Sequence, residues 1–357
     1  MRSGLRDYSI SIILKYQHPS GAYVACPRFP PYEYSWFRDG AFIAYAMDSV
    51  GEHESARLFH DWASRTVLRY GSKMTRCVER TGQGVPPLNT EHFHARFTPE
   101  GYETEGTWGN HQLDGLGTWL WAICQHAKMV GATPLPGPWR NAVDLVRDYL
   151  AALWSLPCND CWEEQEDRIH TYTLAAIYGG LREVAAICDD HLASATAEAV
   201  RLFLLDNAVM DGRLVKSLGS SEVDASLLGV AVPFGAIDAK DPVMQRTVEW
   251  IERDLRSGPG GLHRYRKDTY YGGGEWILLT AWLGWYYAET GQVQKSEAIL
   301  DWVEAQTTAQ GDLPEQIPAN LNEPPYYVTW LRRWGAIASP LLWSHAKYLI
   351  LREALQS

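Results

Sequence analysis

Nothing in the 357 residues stays apolar long enough to span a bilayer. The longest such stretch, 277–288 (ILLTAWLGWYYA), falls short of the roughly 20 residues a membrane helix needs and reads as a buried helix. Positive charge is scarce too. Lys and Arg total 32 against 43 Asp and Glu, leaving −11, which argues against a nucleic-acid or anionic-membrane partner. The six cysteines (Cys26, Cys77, Cys124, Cys158, Cys161, Cys188) are too few to frame a chain of this size with disulfides. Cys158 and Cys161 form a lone C-x-x-C with no second pair at zinc spacing, so free thiols, no metal and no cofactor are expected. Residues 1–17 mix charge and hydroxyls and lack a small-residue cleavage site, which predicts no secretory leader and a cytoplasmic protein. No Gly/Ser- or Pro-rich linker interrupts the chain, so residues 1–357 are expected to form one domain, with no sandwich or binding module attached.

Phenylalanine is sparse, at 8, beside 16 Trp and 19 Tyr. A core needing only bulk could use Phe; Trp and Tyr add a polar handle to a flat face. Strand-like alternation is rare, and the apolar periodicity is overwhelmingly helical. It predicts twelve helices near 4–16, 38–50, 52–70, 112–130, 138–155, 170–187, 190–206, 223–235, 241–256, 275–290, 293–309 and 340–355. Asp241-Pro242, Gly291 and Ser339-Pro340 supply start and stop signals. Amphipathic helices roughly alternate with helices apolar nearly all round. Such alternation predicts an all-α fold, an (α/α)6 barrel with an outer ring of six around an inner ring of six. No self-similar period supports a solenoid instead.

The chemically distinctive residues fall in loops just before every second helix. They are Tyr32 to Asp39, Glu103 to Asp114, Cys161 to Asp167, Ser220 to Asp224, Arg264 to Tyr270 with Trp276, and Asp312 to Gln316. In an alternating barrel these loops meet at one end, around one crater. Carboxylates and Arg bind hydroxyls there, Trp and Tyr stack on the C–H faces of a sugar ring, and glycoside hydrolysis needs two carboxyl groups. Taken singly, each piece has a plain structural reading: W-E-E as a solvated helix start, Arg38-Asp39 as a cap, Pro314-Glu315 as a turn. Folding alone does not require them all before alternate helices.

The ordered motifs are Y-x-Y-S-W-x-R-D at 32–39, W-G-N-H-Q-L-D-G at 108–115, W-E-E at 162–164, R-Y-R-K-D-T-Y at 264–270 with Trp276, P-E-Q at 314–316 and W-S-H-A at 343–346. Together they resemble the catalytic domain of the glucoamylase family, glycoside hydrolase family 15. The resemblance implies that Glu163 is the general acid and Glu315 the general base. It implies that Glu164 contacts the sugar beyond the cleaved bond, and that Arg38, Asp39 and Arg264 grip hydroxyls. Tyr32, Trp36, Trp108, Gln112, Trp162, Trp276 and Trp343 would wall the glucose pocket. The implied activity is inverting and exo-acting, releasing β-glucose from the non-reducing end of a small α-gluco-oligosaccharide. Isomaltose and related α-1,6 substrates are placed first; α-1,4 maltooligosaccharides and trehalose are the alternatives. A silent sugar-binding barrel is the non-enzymatic alternative, and the presence of both Glu163 and Glu315 argues against it. Inversion requires a carboxyl separation of about 6.5–9.5 Å. Burial beside Trp162 and the like charge of Glu164 are expected to raise the Glu163 pKa.

Overall fold

The computed structural model describes residues 2–106 and 108–356. Fourteen helices follow one another among them: α1 (Arg2–Tyr16), α2 (Phe37–Ser49), α3 (His53–Arg69), α4 (Gly71–Gly82), α5 (Asp114–Met129), α6 (Gly137–Leu153), α7 (Thr171–Cys188), α8 (His191–Asn207), α9 (Leu228–Ala231), α10 (Pro242–Leu255), α11 (Ile277–Glu289), α12 (Val293–Ala305), α13 (Pro324–Trp334) and α14 (Leu342–Ala354). Local chemistry sets several ends. Asp190 and Asp241 accept backbone N–H bonds from Ala193 and Val243, capping α8 and α10, and Pro242 needs no partner for the N–H it lacks.

The inner ring closes on itself. α2 packs on α5, α5 on α7, α7 on α9, α9 on α11, α11 on α14, and α14 back on α2. The chain is therefore an (α/α)6 barrel. Apolar character all round suits this double contact: every residue of α11 from Ile277 to Tyr287 is buried. The outer helices press only one face inward; α10 buries Met244, Thr247, Val248, Ile251 and Leu255 at helical spacing. Where α5 crosses α7 the backbones nearly touch. A Cβ on Gly117 would lie 2.5 Å from the Ala176 carbonyl, and one on Gly180 2.3 Å from that of Gly117. Among the described residues, no helix is long and apolar enough to cross a membrane.

Three elements depart from the sequence expectation. The helix expected over 223–235 is only a 3-10 turn, Ala225–Leu227, followed by the single turn of α9. Val232 is already extended, as the following Pro233 favours, and Gly229 sits so close to the Tyr172 and Trp282 rings that no side chain fits. α4 was not expected: its short, heavily charged sequence buries only Gly71, Lys73, Met74 and Cys77. α13 was not expected either, because it begins on two prolines and buries no residue fully.

Short antiparallel pairs tie the loops at one rim. Ser35–Trp36 pairs with Arg96–Phe97, and Glu275–Trp276 with Gln316–Ile317. The second pairing seats Glu315 beside the start of α11: Ile277 N donates to its carbonyl at 3.2 Å, and its own N–H donates to Ala338 O at 2.9 Å.

Candidate active site

A cavity of about 460 Å³ opens at the rim where the inner helices begin. Tyr32, Trp36, Arg38, Asp39, Trp162, Glu163, Arg264, Trp276, Glu315 and Trp343 line it, together with Cys161 and three aliphatic residues. These ten come from five segments of the chain. Of the other expected site residues, Gln112 stands behind the wall, its Oε1 accepting from Arg38 Nη1 at 2.8 Å. Trp108 lies against Trp36 and Trp334, with the Arg96 guanidinium 3.7 Å above its ring. Glu164, with 36% of its side chain exposed, accepts from the Tyr265 hydroxyl at 2.5 Å and lies 3.5 Å from Arg264 Nη2. Cys158 and Cys161 are buried free thiols.

Glu163 is held in an unusual backbone state. Its φ of +70° lies in the left-handed region, which a non-glycine residue adopts only when its surroundings impose it. Here Asp160 imposes it. Asp160 Oδ1 accepts from both Trp162 N and Glu164 N at 2.9 Å, and its carbonyl accepts from Glu163 N. The other Asp160 oxygen pairs with buried Lys216 Nζ at 3.1 Å. Lys216 also pairs with Asp224 at 3.2 Å, and Asp224 in turn accepts from Trp162 Nε1 at 3.0 Å. This buried Asp160–Lys216–Asp224 chain fixes the turn that delivers Glu163 to the cavity. Asp160 and Asp224 belong to loops that stood out in the sequence or adjoined one; nothing in the sequence marked Lys216.

Inside the cavity Glu163 Oε1 accepts from Trp36 Nε1 at 2.5 Å and lies 4.0 Å from Arg38 Nη2. Burial raises the pKa of its carboxyl, against the pull of Arg38 and the Trp36 hydrogen bond. The expected direction holds, but Glu164 is not among its causes. Glu315 is only 3% exposed, and burial lifts its pKa to about 8 although Arg264 and the hydroxyls of Tyr32 and Tyr270 oppose this. Those two hydroxyls are 2.8 Å apart. Burial likewise lifts Asp39 to about 7.

The arginines are aimed by buried carboxylates. Arg38 Nη1 lies 3.1 Å from Asp114, and Arg264 is gripped by Asp268 through Nε at 2.8 Å and Nη2 at 2.5 Å. Arg264 also lies against the faces of Trp162, Trp276 and Tyr270. Asp114, Asp268 and Tyr270 were inside quoted motifs yet were not singled out. Among the described residues, four buried polar atoms on lining residues have no hydrogen-bond partner: Arg38 Nε, Trp276 Nε1, Trp343 Nε1 and Glu315 Oε2. Three donors, one carboxylate oxygen and broad aromatic walls suit a small molecule rich in hydroxyls.

A family model described as glycosyl hydrolases family 15 matches residues 5–310. The chain is 40% identical to isomaltose glucohydrolase of Kribbella flavida, over 98% of this chain and 92% of that protein. A solved glycosidase variant in complex with glucose is 39% identical and superposes with a TM-score of 0.95, over 99% of this chain and 96% of that one. A bacterial glucoamylase complexed with acarbose, 19% identical, shares the fold with a TM-score of 0.78 over 99% of this chain and 55% of that one.

Proposed function

Because the chain belongs to glycosyl hydrolases family 15 and is a glycoside hydrolase, we propose that it removes glucose from the non-reducing end of short α-glucosides, isomaltose and α-1,6 oligosaccharides first. Glu163 protonates the glycosidic oxygen as the bond to C1 breaks. The ionised form of Glu315, favoured above about pH 8, takes a proton from a water molecule whose oxygen attacks C1 from the opposite face, so the anomeric centre inverts and β-glucose leaves. Arg38, Asp39 and Arg264 hold the hydroxyls of the terminal sugar, while Trp36, Trp162, Trp276 and Trp343 enclose it. Confinement by these walls favours a chain end over a mid-chain bond. Residues 1–357 would act as one catalytic unit, and a short imported oligosaccharide as substrate fits a cytoplasmic enzyme with free cysteines.

The observation that carries the reading is the convergence of Glu163 and Glu315, from loops far apart in the chain, on one cavity whose unpartnered atoms match a sugar. The α-1,6 preference draws its support from the Kribbella flavida relative. Rates of glucose release from isomaltose, maltose, trehalose, nigerose and kojibiose test the linkage, with isomaltose expected fastest. Proton NMR of the anomeric region in the first minutes tests the stereochemistry. Initial α-glucose would show retention, and Glu315 could not then be the base.

A further inference from the structure

Far from the sugar cavity, three buried side chains from α2, α3 and α5 converge. Asp48 lies nine residues beyond Asp39 on α2, about 13 Å along the helix axis and toward the opposite end of the barrel. His126 Nδ1 approaches both Asp48 oxygens at 2.9 Å. The His60 ring stands 5.1 Å from the His126 ring, centroid to centroid, and Trp139 closes over both. One ligating atom each from Asp48, His60 and His126 can be chosen so that all lie within 4.8 Å of one another.

His60 sets this cluster apart from an ordinary buried hydrogen-bond network. It is 0% exposed, and neither ring nitrogen has a hydrogen-bond partner among the described residues. Buried polar atoms are nearly always satisfied, so an orphaned imidazole beside a carboxylate and a second imidazole calls for an occupant. We propose that Asp48, His60 and His126 form a binding site for one divalent transition-metal ion, Zn²⁺ above all. Two imidazole nitrogens and one carboxylate oxygen are the donor set such ions prefer, whereas Mg²⁺ and Ca²⁺ take oxygen. Tetrahedral N and O ligands at 2.0–2.1 Å stand about 3.3 Å apart, so the cluster closes on a metal by small side-chain rotations. The metal takes the place of the hydrogen bond between Asp48 and His126. His53, whose Nδ1 lies 2.8 Å from Asp48 Oδ1 and whose side chain is 44% exposed, orients the carboxylate from outside and marks the route from solvent. An ion here would join α2, α3 and α5, and α2 carries Arg38 and Asp39 at its other end. Its role is structural.

The test uses the full chain stripped of metal by a chelator and titrated with Co²⁺, a spectroscopic stand-in for Zn²⁺. The expected result is one equivalent of Co²⁺ per chain with intense visible d–d bands of low-symmetry, four- or five-coordinate cobalt. Zn²⁺ should abolish the bands and raise the melting temperature by at least about 3 °C. His60→Gln and His126→Gln, checked for folding by circular dichroism, should lose the bands. His92→Gln, in a separate stacked histidine pair with His111, should keep them. Absence of the bands from the wild-type chain overturns the site, as does cobalt binding that survives in folded His60→Gln.

Discussion

Glu315→Gln should stabilise the fold while abolishing turnover, and the stabilisation should grow with pH in a defined window. The carboxyl is almost wholly buried and its pKa is lifted to about 8, against about 4.5 for an ordinary glutamate. The folded state therefore keeps its proton up to about pH 8, while the unfolded chain releases it above about 4.5. Wherever the folded state binds more protons, stability falls as pH rises. At about 1.4 kcal/mol per unit of pKa difference, Glu315 opposes folding by roughly 3–4 kcal/mol at pH 7 and by more at pH 8. Glutamine keeps the shape and cannot ionise, so its stability is free of this contribution. Urea unfolding of both proteins should give similar stabilities near pH 4 and a gap that widens to about pH 8. Buried Asp39 titrates in both proteins and largely cancels from the difference. A gap independent of pH, or a wild-type chain more stable at pH 8, would refute the reasoning.

Glu163→Gln should remain folded and lose about a hundred- to ten-thousandfold in turnover, the usual worth of a positioned proton donor; more than roughly a tenth of wild-type activity would remove Glu163 from that role. Arg38→Lys loses the planar fork whose Nη1 meets both Gln112 and Asp114, so kcat/KM should fall about ten- to a hundredfold on every linkage alike. A change in linkage preference alone would place Arg38 away from the terminal glucose. Lys347→Met should stabilise the barrel by about 1–3 kcal/mol at pH 7. The Lys347 amine is buried against Trp282 and Phe42 with no hydrogen-bond partner among the described residues, and burial holds its pKa well below the ordinary lysine value. The unfolded chain binds that proton and the folded one resists it, so the advantage should shrink as pH approaches 10; a destabilised Met variant would show that the charged amine is held favourably by the rings.

The barrel was legible because an inner helix must be apolar all round and an outer one cannot be, and that contrast survives in sequence at α10 and α11. The cavity was legible for a related reason: its residues come in tight runs before inner helices, so Tyr32, Trp36, Arg38 and Asp39 travel together. What escaped was set by contacts between distant segments. α13 has no buried stripe to betray it, yet its Trp330 and Trp334 pack on Tyr270, and Trp334 stacks on Trp108 at the rim. Lys216 looks like any surface lysine until folding places it between Asp160 and Asp224.

The pair Glu163-Glu164 shows how one backbone angle divides two identical side chains between two roles. In sequence the two are neighbours of like charge, and mutual repulsion was expected to help raise the Glu163 pKa. In the folded chain the left-handed φ at Glu163 turns its carboxyl into the cavity beside Trp36, while Glu164 turns outward to Tyr265 and Arg264. Arg264 and the Tyr265 hydroxyl meet the Glu164 carboxylate, and burial is the main cause that lifts Glu163. The strain of such a φ, about 1–3 kcal/mol, is sustained by the hydrogen bonds that Asp160 makes to three consecutive residues. Asp160 is itself tied through Lys216 to Asp224, which holds the ring of Trp162. The acid function proposed for Glu163 thus rests on Asp160, Lys216 and Asp224, which do not line the cavity. A residue such as Asp160 can therefore matter as much to the placement of Glu163 as any that lines the cavity.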